Sequence, residues 1–534
     1  MVISICQNPY RHFRHSTSLF VLPSTRMALT SGSVYTDLLT LVVAGLIFVY
    51  AYFKWTFTYW ARKGLPHLKP SFPSGTMQNP VWPKISLGET LMHQYRECKE
   101  KGLKHIGLFT FSRPNYMPID LQYVKNILSS DFNYFVDRGV YYNEKVDPLS
   151  AHLFSLEGQK WKNLRSRLTP TFSSGKMKMM FRLVMECGKH MTSAMEEVAR
   201  KQIPIETKDW LGRFGTDVIG TCAFGIDCNS FQEPNSAFRT YGKRALCPTK
   251  WEIAKTFLGF ANEKFARRMS VRITPVDVTA FFLNIVEETV KHREENNVQR
   301  NDFLQILLEL KDSVGENDAN KSLTIEELTA QAFIFFLAGF ETSATTMSFC
   351  LYELAENLHI QDKLREEVET VLERYDGELC YDAIKELKYM KQVIDETLRK
   401  YPPLPHLVRR CVKDYKVPGT NLTIEKGTAV TVSVYGIHYD PDYYPNPEQF
   451  DPERFSAENK PTIKPFTYLP FGEGPRMCIG LRFGLMQVAV GLALLLKNFR
   501  FTLSEKTKVP LKYNANSIIL SVVGDIWLKV HKIQ

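Results

Sequence analysis

Apolar positions along this chain follow three patterns. The first is an unbroken run. From Met27 to Phe53 there is no Lys or Arg, and the sixteen residues from Leu38 to Phe53 are almost wholly apolar. That is slightly short of the ~20 residues that cross a hydrocarbon core as a helix. Lys54, Trp55, Tyr59 and Trp60 extend it to about Tyr59, by snorkelling and by aromatic anchoring at the lipid interface. Arg62 and Lys63 follow, and this charge bias places the rest of the chain in the cytosol. No small-residue cleavage site precedes the aromatics, which argues against a removed signal peptide.

The second pattern is helical spacing. Thr324-x-x-Glu327 forms a capping box, and no basic residue occurs from Leu328 to about Leu358. Phe333, Ile334, Phe335, Phe336 and Leu337 stand in succession there, so this helix is apolar on all sides and belongs at the centre of a large domain. Helices are also predicted from Glu157, through most of 176–310 with breaks near Pro204, Pro234, Pro248 and Pro275, over Glu366–Tyr375, over Lys391–Pro402, and from Gly480 through Leu485, Val488, Leu492 and Leu496. The third pattern is short and strand-like. It covers Ile106–Phe111, Tyr116–Asp120, Thr423–Ile424, Ala429–Val434 and a hairpin placed around Gly524-Asp525, with a short helix over Leu121–Ser129. The expected fold is mainly α with a small β-rich subdomain.

Four segments follow from these patterns. Residues 1–26 are expected to be a disordered extension, 27–63 a membrane anchor, 64–75 a stiff Pro/Gly-rich hinge, and 76–534 the globular body. Length alone would suggest roughly two to four domains. Hydrophobic and charged contents of 44% and 23% are ordinary for a globular protein. The ten cysteines include no C-x-x-C pair, which disfavours structural zinc and suits free thiols in a reducing compartment. The net charge of +10 is scattered, with no aromatic–basic repeat, so an acidic docking partner or a membrane surface fits better than nucleic acid. Phe257, Leu258, Phe260 and Phe265 interleave with Lys and Arg, which suits a second membrane contact or an amphipathic helix packed on the core.

The chemistry concentrates at Cys478. Phe471, Gly472, Gly474 and Pro475 forbid regular structure before it, and a helix opens after Gly480. A thiol at a helix mouth, beside Arg476, is expected to have a lowered pKa and to serve as ligand or nucleophile. No local histidine or other base accompanies it. A second polar site interrupts the apolar helix at Ala338-Gly339-Phe340-Glu341-Thr342. Gly339 is expected to weaken the helix, and Thr342 to hydrogen-bond back and open a groove. Trp161 and Arg165, four apart, share a helix face, and Glu396 and Arg399 can pair at i, i+3.

Phe471-x-x-Gly474-x-Arg476-x-Cys478-x-Gly480 resembles the haem-binding loop of the cytochrome P-450 family. The Ala338–Thr342 fragment, Glu396-x-x-Arg399 and Pro452-Glu-Arg454-Phe455 follow the same family in order and spacing. The likeness covers about residues 38–534. It implies the cytochrome P-450 fold, a single large catalytic domain with an N-terminal transmembrane anchor and a proline hinge. It also implies haem b, iron protoporphyrin IX with Cys478 as thiolate axial ligand, and Phe471, Gly472, Gly480 and Ala338 around it. Trp161, Arg165, Arg409 and Arg476 would hold the propionates. Glu341 and Thr342 would handle protons at the oxygen site. Glu396, Arg399 and Arg454 would support the loop.

Asp137-Arg-Gly and the run Arg167–Phe181 resemble insect microsomal members that metabolise xenobiotics. The activity implied is a monooxygenase of the endoplasmic reticulum membrane, fed by NADPH through cytochrome P-450 reductase, with cytochrome b5 as a further candidate donor and small lipophilic compounds as substrates. His152, Phe154, Phe335, Leu404 and Val408 are pocket candidates, and the hairpin tip near Gly524 is expected to enter the pocket. The rival readings are a haem-thiolate isomerase or dehydratase and a non-catalytic carrier of haem or lipophiles. Such isomerases often lack the acid–threonine pair, and a carrier would not need it.

Overall fold

A computed structural model describes residues 34–79, 83–246, 249, 251, 252, 255, 263–300, 302–312 and 323–533. The extension expected at 1–26 lies outside them, as do Phe257, Leu258 and Phe260. Packing divides the chain at Trp55/Thr56. The first unit holds all but the last residue of the helix Val34–Thr56, whose apolar side chains, Leu38, Leu46, Ile47 and Phe48 among them, are exposed. Its 23 residues reach about 35 Å at ~1.5 Å per residue, enough for a bilayer core. Two other described helices are apolar and long enough to span a membrane, Ile325–Glu356 and Leu481–Asn498, but both are largely buried inside the fold.

The second unit is the body. Its central helix, Ile325–Glu356, starts with the expected capping box: Thr324 accepts from the Glu327 amide, and the Glu327 carboxylate accepts from the Thr324 amide. The helix ends at Glu356, and a new helix, Leu358–Glu373, begins after Asn357. Around it pack the helices Thr207–Ile219, Lys388–Lys400 and Leu481–Asn498. The central helix is unbroken through Gly339. A Cβ on Gly339 would meet Ile219 Cδ1 at 2.5 Å, so this glycine serves close helix–helix approach rather than a kink, contrary to the sequence expectation.

The strands are β1 His105–Thr110, β2 Arg113–Pro118, β3 Ile205–Glu206, β4 His406–Arg410, β5 Tyr415–Lys416, β6 Thr423–Ile424, β7 Ala429–Ser433, β8 Phe499–Leu503 and β9 Trp527–Lys532. One sheet runs β1-β2-β7-β4, with only β2 and β7 parallel; β3-β9-β8 and β5-β6 are antiparallel. The body is thus one mainly helical domain with small sheets.

Two further expectations are corrected, and the stiff hinge expected at 64–75 is bonded to the body. Its backbone pairs along the edge of β1, through Leu68 N–H to Gly107 O, Gly107 N–H to Pro66 O and Thr76 N–H to Phe109 O, because an open strand edge needs partners. Trp60 is not an interfacial belt residue. It is fully buried, and its indole N–H donates to the Leu108 carbonyl at 2.8 Å, so the body begins before the expected boundary at residue 63. The terminal hairpin is not closed at Gly524-Asp525. Asn514 N–H donates to Ser521 O and Val523 N–H to Lys512 O, so 512–514 pairs with 521–523, while β9 pairs with β8. Gly524 and Asp525, both at positive φ, turn the chain from one pairing to the other.

Candidate functional site

The Cys478 loop is held by three different devices. Its own backbone folds back, with Cys478 N–H donating to Phe471 O at 2.9 Å and Gly472 N–H to Leu469 O at 3.0 Å. Gly474, at φ +74°, lies so close to the Leu128 carbonyl that any Cβ would overlap it. Arg476 then ties the loop to the preceding aromatic segment. It donates to the carbonyls of Val136 (2.8 Å), Leu153 (3.4 Å) and Leu156 (2.9 Å), and its guanidinium lies 3.9 Å from the Trp161 ring centre. Arg476 was expected to hold a propionate. The structure spends its donors on the loop's neighbours, with Asp137 at 3.8 Å, so its first role is to clamp the loop. Burial lowers its pKa to about 9.

Cys478 lies deep in the body, yet its side chain keeps accessible surface, so the sulfur faces an internal space. The helix after it starts at Leu481 with Gly480 as cap, and the Gly480 amide hydrogen-bonds the sulfur. The expected lowered thiol pKa is not found. Burial raises it, outweighing the Gly480 amide and the cations Arg138 and Arg165, which lower it. Arg476 is not among the charges acting on it. A cationic centre bonded to the sulfur would reverse that balance.

The central helix shows matching exposure. It is buried from Leu328 to Phe333 and from Ser343 to Ala355, but Ala338 is exposed and Gly339, Glu341 and Thr342 are partly so. Thr342 donates to the Ala338 carbonyl at 2.5 Å, the expected back-bond. Glu341 forms an ion pair with Lys208 on the helix Thr207–Ile219. Ser343 Oγ reaches Gln487 Oε1 at 3.4 Å, which brings this stretch against the helix that follows Cys478.

A cluster of cations stands beside the Cys478 loop. Arg409 is buried, and Arg138 and Arg165 are half-buried. Among the described residues none of the three has a carboxylate within ion-pair distance. Arg409 donates only to its neighbour's carbonyl at Val408, and its Nε is buried without a partner. Burial lowers the Arg409 pKa to about 10. Arg138 donates to the carbonyls of Phe154 (3.1 Å) and Arg476 (3.0 Å); burial, then Arg409 and Arg476, push its pKa well down. Uncompensated buried cations are costly, so this donor set suits a ligand with two carboxylates. A flat dicarboxylate group with a metal facing Cys478, which is what haem is, fits these residues.

The expected i, i+3 ion pair forms. Glu396 and Arg399 are fully buried and bonded at 2.7 and 2.9 Å, with Arg454 at 3.5 Å from Glu396. Among the pocket candidates, His152 has its pKa lowered to about 4 by burial, and Phe154 lies under the Arg138 guanidinium at 4.1 Å. Leu404 and Val408 keep accessible surface on or beside β4. Phe335 packs edge-on against Phe303 at 4.2 Å and Phe172 at 5.7 Å, in an aromatic cluster. Sequence reasoning missed Arg138, Lys208 and His438 as contributors. Arg138 had a signal, a lone cation in an aromatic-rich loop; the other two had none, since their roles come from partners distant in sequence.

A helical body with an inward-facing cysteine loop, a central helix left partly exposed at Ala338–Thr342 and a cluster of arginines without carboxylates fits a haem-thiolate protein. The model of the family described as "Cytochrome P450" matches residues 73–528. "Cytochrome P450 6a2" of Drosophila melanogaster is 44% identical over 92% of this chain and 99% of its own length. "Cytochrome P450 6A1" of Musca domestica is 42% identical over 90% of this chain and 95% of its own. The chain belongs to the cytochrome P450 family, and it is similar to insect members of that family over nearly its whole length.

Proposed function

We propose that this protein is a membrane-anchored haem-thiolate monooxygenase of the endoplasmic reticulum, with its body in the cytosol. Its substrates are small lipophilic compounds, of the kind represented by plant toxins and insecticides. Its electrons come from NADPH through cytochrome P450 reductase docked on a basic face. The observation that carries the reading is the accessible Cys478 sulfur inside the body, with Arg138, Arg165 and Arg409 near it and free of carboxylates.

Haem, when bound, supplies oxygen activation and the oxidising power. The chain's residues supply the rest. Cys478 would hold the iron as a thiolate, with the Gly480 amide, Arg138 and Arg165 favouring its charged form. Arg138, Arg165 and Arg409 would hold the propionates. The Thr342 hydroxyl, tethered to the Ala338 carbonyl, offers a fixed oxygen for hydrogen bonding at the open stretch of the central helix. The Glu341 carboxylate beside it can hold or release a proton, and Lys208 sets where it rests. The apolar flanks of the same helix exclude bulk water and orient an apolar substrate. The Glu341–Thr342 pair supports a monooxygenase over an isomerase or carrier.

The test is turnover of the purified protein reconstituted with the reductase in lipid. NADPH and oxygen consumption should rise when lipophilic substrates are added, with one hydroxylated product class per active compound. Absence of substrate-dependent consumption across a broad panel, with haem in place, contradicts the proposal.

A further inference from the structure

His438 ends the short helix Val434–His438 and is fully buried. Both ring nitrogens are engaged at 2.9 Å. Nδ1 meets the backbone carbonyl of Arg399, and Nε2 meets the backbone N–H of Leu469. A carbonyl oxygen can only accept, and an amide N–H can only donate. The network therefore assigns the proton to Nδ1 and leaves Nε2 bare. The backbone of His438 joins the same contact, its carbonyl accepting from Arg399 Nη1 at 2.9 Å.

The two ends of this ring belong to different parts of the site. Arg399 is the cation of the buried pair with Glu396. Leu469 is the root of the cysteine loop: its carbonyl accepts from Gly472 N–H, and two residues on, Phe471 O accepts from Cys478 N–H. Glu396, Arg399, His438, Leu469 and the loop thus form one continuous chain of bonds. Arg454, by contrast, reaches only Glu396 and the Asn446 carbonyl.

We propose that His438 is a positioning residue, a neutral ring locked in the Nδ1–H tautomer that couples the Glu396–Arg399 pair to the Cys478 loop and so keeps the thiolate on the iron. The inference rests on the haem-thiolate reading above. The groups around the ring support a neutral form. Arg399 stands at one end, Tyr468 stacks on it at 5.8 Å and Tyr444 meets it edge-on at 6.4 Å. Asp395 is held by the Tyr468 hydroxyl, and Glu396 is committed to Arg399. Among the described residues no carboxylate touches the ring, and burial beside Arg399 lowers its pKa to about 3. A second ring proton would oppose the Leu469 N–H and force the loop away.

The amide variants separate the two ends. In His438→Gln the side-chain oxygen can occupy the Nε2 position and accept from Leu469; in His438→Asn the shorter amide reaches only the Arg399 carbonyl. The full chain loaded with haem is reduced under carbon monoxide, and the Leu469 amide is followed by hydrogen exchange. His438→Gln should keep most of the thiolate-type red-shifted Soret band. His438→Asn should convert half or more to the blue-shifted form, with Leu469 exchange at least about tenfold faster and a thermal midpoint close to that of His438→Gln. Equal behaviour of the two variants, retained or lost together, overturns the proposal.

If neither variant folds, nitrogen-15 spectra of the histidines in the wild-type reduced carbon monoxide complex decide it. A ring protonated at Nδ1 that does not titrate between pH 5 and 8 supports the proposal. An Nε2–H tautomer or a titrating ring overturns it. Failure of the underlying reading is distinct, since it shows as absence of the red-shifted band in the wild type itself.

Discussion

Two groups of buried and half-buried arginines stand in this body, and their surroundings are opposite. Arg399 is surrounded by acceptors: both oxygens of Glu396 and the carbonyls of His438, Pro447 and Gln449. Arg138, Arg165 and Arg409 lie together without a carboxylate, and Arg409 keeps an unpaired Nε. Burial tends to lower the pKa of every one of them; only for Arg399 do the bonds to Glu396 more than offset it, leaving its pKa raised. A buried cation that is fully bonded within the chain serves the fold. A buried cation that is not marks a place where something else must bind.

The largest effect should come from breaking the satisfied pair. Glu396→Gln leaves Arg399 buried without its counter-charge, a loss of about 3–5 kcal/mol. Thermal unfolding should show this as a large drop in midpoint or as failure to accumulate folded protein. The opposite group should respond differently. Arg409→Gln removes an uncompensated cation, so the fold should lose less than about 1 kcal/mol, yet haem should leave roughly 10–100-fold faster, the value of a charge-assisted hydrogen bond of ~1.5–3 kcal/mol. Transfer of haem to an excess acceptor protein measures the rate. A stability loss as large as that of Glu396→Gln would erase the distinction.

A smaller effect tests the same reasoning on an acid. Glu206 is half-buried and, among the described residues, pairs with no cation; burial raises its pKa to about 7, with Asp525 adding and the amides of Asp209 and Lys208 opposing. Between about pH 4.5 and 7 the folded state keeps a proton that the unfolded chain releases, so stability falls as pH rises through this window. Glu206→Gln keeps an acceptor for the amides and should flatten that slope, by on the order of 1–3 kcal/mol across the window. Denaturation midpoints of the two proteins at pH 5 and pH 7.5 check it.

What was legible in the sequence was local or strongly patterned. The Cys478 loop carries five fixed positions within ten residues, and the central helix announces itself through its capping box and absence of basic residues. The i, i+3 pair of Glu396 and Arg399 is visible on any helical reading. The rest depended on contacts between distant segments. Trp60 looks like an interfacial aromatic until Leu108 supplies its hydrogen-bond partner. Gly339 looks like a helix breaker until Ile219 fills the space beside it. Helix-mouth position suggested a lowered Cys478 pKa, but burial is the larger influence and depends on the whole fold. Arg138 lies 338 residues from the Arg476 carbonyl it bonds, so its aromatic-rich loop could mark it as a lone cation but not show what it bonds.

The central claim is that Cys478 is the thiolate ligand of a haem iron. The most direct measurement is the reduced carbon monoxide spectrum of the purified protein, set beside that of Cys478→Ala. The wild type should show the thiolate-type red-shifted Soret band, and Cys478→Ala should lack it entirely. A wild type without that band, or a variant that keeps it, would contradict the account.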